Sequence, residues 1–106
     1  MWASAYGVRV KQEEYVEAVL TLVEQVPPGR VTTYGAIAEH LGVGGPRQVA
    51  RVMATYGGPV PWWRVVRADG SLPDRHVPEA LESYRVEGTP LRPSQRPDMA
   101  RAFWSP

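Results

Sequence analysis

Apolar side chains recur at helical spacing between Lys11 and Val26, where Tyr15, Ala18, Val19, Leu22, Val23 and Val26 form one stripe and Gln12, Glu13, Glu17 and Glu24 lie off it. That period predicts an amphipathic helix. It has to end at Pro27-Pro28-Gly29, because a residue preceding proline is pushed out of the helical region and glycine then turns the chain. Arg30 to Thr33 reads as a short extended or capping stretch. The hydroxyl of Thr32 or Thr33 can cap a helix that starts near Tyr34, runs to Leu41 and stops at Gly42. After the tight linker Gly42-Val43-Gly44-Gly45, Pro46 stands where a first helical turn tolerates proline and opens a helix through Ala54. Val49, Val52 and Met53 form its inward stripe, while Gln48 and Arg51 share an outward face with Arg47 beside them. Two short helices joined by a glycine turn, the second carrying Arg at its N-terminal end, make a helix-turn-helix pattern. The same pattern also describes an ordinary helical hairpin in a small core.

Gly57-Gly58-Pro59-Val60-Pro61 breaks that helix and holds the chain extended into Trp62-Trp63-Arg64-Val65-Val66-Arg67. Ala68-Asp69-Gly70-Ser71 predicts a β-hairpin turn, Asp-Gly being a strong short signal for one. A further helix is expected from Pro78 to Glu87, closed by Gly88. From Thr89 on, four prolines in eighteen residues point to an irregular or packed-on tail whose apolar anchor is Phe103-Trp104. The expectation is a mainly α, winged-helix-like helix-turn-helix domain with a small β-hairpin over residues 1–88, followed by a Pro-rich tail over 89–106.

With 106 residues the chain suits one small domain, able to bury roughly two-thirds of its unfolded surface. Without cysteine there is no disulfide framework, no thiolate nucleophile and no Cys-ligated metal. His40 and His76 are too few and too far apart to suggest a metal site, so neither metal nor cofactor is expected. No apolar run exceeds three residues, and Met1 to Val10 lacks the features of a signal peptide. A soluble, cytoplasmic protein without a membrane partner is therefore expected. Arg30, Arg47, Arg51, Arg64 and Arg67 stand against Glu39 alone, a sum of +4 between weakly acidic flanks. Such a basic middle suits a polyanion on one face, although a solvated charged face gives the same composition. Eleven of the twelve basic residues are Arg, which favours planar, bidentate or stacked contacts.

Three blocks then carry a resemblance: Val26 to Ala38 (VPPGRVTTYGAIA), Pro46 to Ala50 (PRQVA) and Pro61 to Val66 (PWWRVV). In this order they resemble the C-terminal domain of O6-alkylguanine-DNA alkyltransferases, over about Val16 to Gly88. In that family the third block reads Pro-Cys-His-Arg-Val, the cysteine taking the alkyl group and the histidine helping to deprotonate it. Here Trp62 and Trp63 stand at those positions. An indole has no ionisable thiol, so alkyl transfer by that route is chemically excluded and no catalytic residue is expected. The pattern is similar to the alkyltransferase-like subfamily, which binds alkylated guanine in DNA without repairing it. Trp63 departs even from that pattern, in which histidine is common.

The resemblance implies roles residue by residue. Tyr34 matches the tyrosine that presses on the phosphate of the target nucleotide, and Arg47 the arginine inserted into the gap left by the flipped base. Trp62, Trp63, Val65 and Arg75 are expected to line the lesion pocket, Arg75 because it falls thirteen residues after Trp62. Thr32, Thr33, Gly45, Pro46, Gln48, Ala50 and Arg51 are expected to face DNA, with the second helix in the minor groove and Gly44, Gly45 and Ala50 allowing close approach. Arg64 and Glu87 are implied to be structural. The expected partner is duplex DNA containing O6-alkylguanine, bound by a monomer and marked for a nucleotide excision repair protein. Two other readings compete: a sequence-specific winged-helix transcription regulator with Asp69-Gly70 as its wing, and a base glycosylase using Glu87 or Asp74. A protein-interaction module would leave Tyr34, Arg47 and Arg51 without a purpose.

Overall fold

The computed structural model describes residues 11–73 and 76–106. Helix α1, Gln12–Gln25, buries Tyr15, Val19, Leu22 and Val23. It ends as Val26 turns extended ahead of Pro27. Helix α2, Tyr34–Leu41, is capped by Thr33, whose hydroxyl accepts the Ala36 N–H at 2.9 Å. Its far end closes on Gly42, which takes a left-handed φ of 74° and donates to the carbonyls of Ala38 and Glu39. Helix α3, Pro46–Tyr56, starts with proline in its first turn and buries Val49, Val52 and Met53. The three helices close around one apolar cluster that also takes in Ile37, Val60 and Val65.

Strand β1, Thr32–Thr33, pairs in parallel with β2, Val65–Val66, so that Thr32 faces Val65 and Thr33 faces Val66. Successive strand side chains point to opposite faces. Val65 accordingly enters the helical cluster, and Val66 enters a second one with Val31, Leu72, Ala80, Tyr84 and Ala102. The pair stitches the two cores together.

This sheet replaces the expected β-hairpin. The Asp69-Gly70 turn does form: Gly70 N–H donates to the Arg67 carbonyl at 2.8 Å, Arg67 N–H to that of Ser71 at 3.0 Å, and Asp69 accepts the Ser71 N–H. Among the described residues no returning strand follows, since Pro73 has no N–H to extend a ladder. Helix α4, Val77–Glu87, then packs Ala80 and Tyr84 into the second core and closes on Gly88.

Residues 89–106 fold back onto that core. Helix α5, Met99–Ala102, brings the Ala102 carbonyl to the Val31 N–H at 3.0 Å, and Trp104 N–H donates to the Val31 carbonyl at 2.7 Å. Arg30 reaches over to the carbonyls of Ala102 and Phe103 at 3.0 and 2.6 Å. Pro97 is fully buried beneath the Asp69-Gly70 turn. A Cβ on Gly70, which has φ +86°, would lie 2.9 Å from the Pro97 carbonyl, so the approach requires glycine. Among the described residues no helix is long and apolar enough to cross a membrane.

Candidate nucleic-acid interface

A cavity of about 670 Å³ opens between α3, the first residue of α2 and, from the chain beyond, Trp62, Arg67, Leu72, Pro73 and His76. It gathers Tyr34, Pro46, Arg47, Ala50, Arg51 and Trp62 from the sequence-predicted set. On α3, Arg47, Ala50, Arg51 and Ala54 recur at helical spacing and so share one face, two arginines alternating with two alanines. Small residues let a backbone approach closely, while the guanidinium groups supply charge beside it. Gln48 is exposed on a neighbouring face, against a smaller hollow next to Tyr15 and Thr55.

Tyr34 is placed by the Thr33 cap that starts α2. Burial pushes its phenol above the usual tyrosine range, and the Arg67 charge pulls it partway back. At neutral pH it is an uncharged group able to donate and accept. Trp62 sits in a short 3-10 turn, Trp62–Arg64, and packs against both apolar clusters. Its ring centroid lies 5.2 Å from that of His76, tilted by 50°, and 5.6 Å from that of Trp63, edge to face.

Several expected positions lie elsewhere. Trp63 does not line the cavity; its ring packs on the second core and its indole N–H donates to Glu87 Oε2 at 3.0 Å. Val65 is fully buried among the helices, because the strand alternation that exposes neither valine aims it at the core. Thr32 is likewise fully buried on β1 and cannot reach DNA. Thr33 spends its hydroxyl on capping α2, and Gly45 caps α3 at the turn. Arg75 and Asp74 lie outside the described residues.

Glu87 anchors the turn that carries Trp62. Its carboxylate accepts from Arg64 Nη2 at 2.6 Å and Nε at 3.1 Å, from Trp63 and from the Gly29 N–H at 3.2 Å, while Arg64 Nη1 donates to the Val26 carbonyl at 2.9 Å. Arg64 also lies 5.6 Å over the Trp63 ring. Burial raises the Glu87 carboxyl, but the donors from Arg64, Gly29 and Trp63 outweigh it and hold the group below the usual carboxylate range. With every lone pair so engaged, Glu87 has no free basic site with which to activate water. Among the described residues no three His, Asp or Glu side chains converge as metal ligands.

Sequence reasoning gave no site role to Arg67, Leu72, His76 and Glu79, which also line the cavity. Arg67 and Leu72 flank the expected hairpin turn and Glu79 falls in the expected helix, and the parallel pairing of β1 with β2 is what brings Arg67 to the end of the strands where Tyr34 starts.

A helix-turn-helix whose second helix sets arginines and alanines along the lip of an aromatic-walled cavity defines a nucleic-acid-binding domain with a built-in pocket. Residues 14–88 match the model of the 6-O-methylguanine DNA methyltransferase DNA-binding domain, and the chain belongs to that family. It is 26% identical over 99 residues to a DNA base-flipping protein of Vibrio parahaemolyticus, covering 89% of this chain and 99% of the relative. A DNA base-flipping protein of Escherichia coli is 31% identical over 100 residues, covering 90% of this chain and 78% of the relative. Among solved structures, Schizosaccharomyces pombe Atl1 in complex with damaged DNA containing O6-carboxymethylguanine superposes with a TM-score of 0.78 at 26% identity, covering 92% of this chain and all of that one.

Proposed function

We propose that this protein is a non-enzymatic reader of O6-alkylguanine in duplex DNA. The observation that carries the reading is the convergence of Tyr34, Arg47 and Trp62 on one cavity beside α3. In this account α3 enters the minor groove through its Arg and Ala face, and phosphate contacts supply affinity without reading sequence. Tyr34 presses on the backbone at the target nucleotide while Arg47 fills the gap left in the stack. The guanine swings out at a cost of a few kcal/mol, least where O6-alkylation has already weakened its pairing, and comes to rest against Trp62.

No bond is made or broken. The chain has no cysteine, and the indole of Trp62 offers no nucleophile to an alkyl group. Trp63 is a hydrogen-bond donor to Glu87, so it cannot act as a base either. The complex persists as a mark on the DNA for nucleotide excision repair. The transcription-regulator alternative gains nothing from the geometry, for the turn it needs as a wing has no returning strand among the described residues.

The test is a fluorescence anisotropy titration with matched duplexes that differ only at one guanine. The expected result is tighter binding to the O6-methylguanine duplex and an unchanged protein mass after incubation. Equal affinity for both duplexes, or an alkyl adduct on the protein, overturns the reading.

A further inference from the structure

The parallel register of β1 and β2 has a specific consequence at its open end. Thr32 faces Val65 and Thr33 faces Val66, so the next residues on each side, Tyr34 and Arg67, emerge together where the strands part. Both line the cavity. Arg67 is exposed, and among the described residues its side chain makes one hydrogen bond, from Nη1 to Ser71 Oγ at 3.2 Å. A guanidinium has five N–H donors, so most of its fork is unspent. Among the described residues no carboxylate lies within ion-pair distance of Arg67, in contrast to Arg64 with Glu87 and Arg96 with Asp69. Its charge is felt at the Tyr34 hydroxyl, whose ionisation it favours against the effect of burial. Among the described residues that line the cavity, Arg47, Arg51 and Arg67 stand with one acid, Glu79.

We propose that Arg67, with the Tyr34 hydroxyl beside it, forms an oxyanion-binding subsite of the cavity. A planar fork with no carboxylate partner among the described residues, next to a neutral phenol, fits a carboxylate or phosphate group, which can take two N–H donors from Arg67 and one O–H donor from Tyr34. Two sources carry that chemistry in the bound state: a carboxylate on the O6 substituent, or a backbone phosphate of the everted nucleotide. The proposal rests on the lesion-reader function above and adds to it a residue that sets which lesions are held.

The experiment compares the wild type, Arg67→Gln and Arg67→Lys on three duplexes, unmodified, O6-methylguanine and O6-carboxymethylguanine, across a salt series. Because the Arg67 side chain bonds one exposed hydroxyl among the described residues, both variants are expected to melt like the wild type, which circular dichroism checks. If the anion is the lesion carboxylate, R67Q loses about tenfold on the carboxymethyl duplex alone, the scale of one charge-assisted hydrogen bond. If it is phosphate, R67Q loses similarly on all three duplexes and the slope of log K against log salt becomes shallower by about 0.9. In either case Lys, a point charge without the fork, restores only part of the loss. Affinities of R67Q within about twofold of the wild type on every duplex, beyond which no single charged contact is resolved, overturn the subsite. A wild type without preference for alkylated duplex fails the lesion-reader function instead, while the salt series on unmodified DNA still reads Arg67. A wild type that binds no duplex overturns both.

Discussion

Replacing Glu87 by alanine removes the group on which the Trp62–Arg64 turn, the end of α1 and the end of α4 converge. Arg64 and Glu87 side chains are only 13% and 11% exposed. The substitution strands two Arg64 donors, the Trp63 indole N–H and the Gly29 N–H with little water to replace the carboxylate. Breaking a fully buried ion pair costs about 3–5 kcal/mol; the residual exposure here places the loss near the lower end, about 3 kcal/mol. For a domain of this size that lowers the melting midpoint by about 12–15 °C. Glu87→Gln keeps the shape but turns an amide N–H₂ toward donors, and about 2 kcal/mol is expected. The pH dependence has a fixed sign. The folded carboxyl lies below its ordinary value, so the unfolded chain binds the proton more readily, and the contribution is fully present above the ordinary carboxylate pKa and lost as pH falls through the folded one. Thermal melts of wild type and E87Q should therefore differ widely at pH 7 and converge in acid. A midpoint within a few degrees of wild type, or a difference that does not shrink in acid, refutes the clamp.

Tyr34→Ala and Arg47→Ala should each weaken binding to an O6-methylguanine duplex by about ten- to a hundredfold in anisotropy titrations, the range of a lost stacking contact, with little change in melting midpoint for the exposed Arg47. Trp62→Cys should take up no alkyl group by mass spectrometry, because the neighbouring Trp63 donates to Glu87 and cannot remove the thiol proton. Gly44→Ala should destabilise by at least about 2 kcal/mol in urea unfolding, since Gly44 has φ +76° and a Cβ there meets the Tyr15 hydroxyl and Gln48 Oε1 inside the helix-turn-helix turn.

How much of this was legible in the sequence depended on the range of the interactions involved. The stripe from Tyr15 to Val23, the Thr33 cap, Gly42 and Pro46 are local signals, and each forecast its element to within a residue or two. Strands of two residues carry no period, and a partner some thirty residues away leaves no local mark, so the pairing of Thr32–Thr33 with Val65–Val66 was hidden. The misreadings of Thr32 and Val65, and the omission of Arg67, follow from that one gap. Without the register, neither the inward aim of Val65, the burial of Thr32, nor the arrival of Arg67 beside Tyr34 can be read. Trp63 misled for a different reason: two adjacent tryptophans look alike in sequence, and only the donors around Glu87 show that one faces the cavity while the other completes a hydrogen-bonded clamp. Tyr34, Arg47, Ala50, Arg51 and Trp62 were legible through the family resemblance of the blocks that carry them, and all five line the cavity.

A crystal structure of the protein with a duplex containing one O6-methylguanine tests the central claim most directly. The account predicts α3 in the minor groove, the alkylated base outside the helix and against Trp62, the Arg47 side chain in the vacated stack, and the methyl group still on the guanine. A lesion that remains stacked within the duplex, or α3 lying in the major groove, contradicts it.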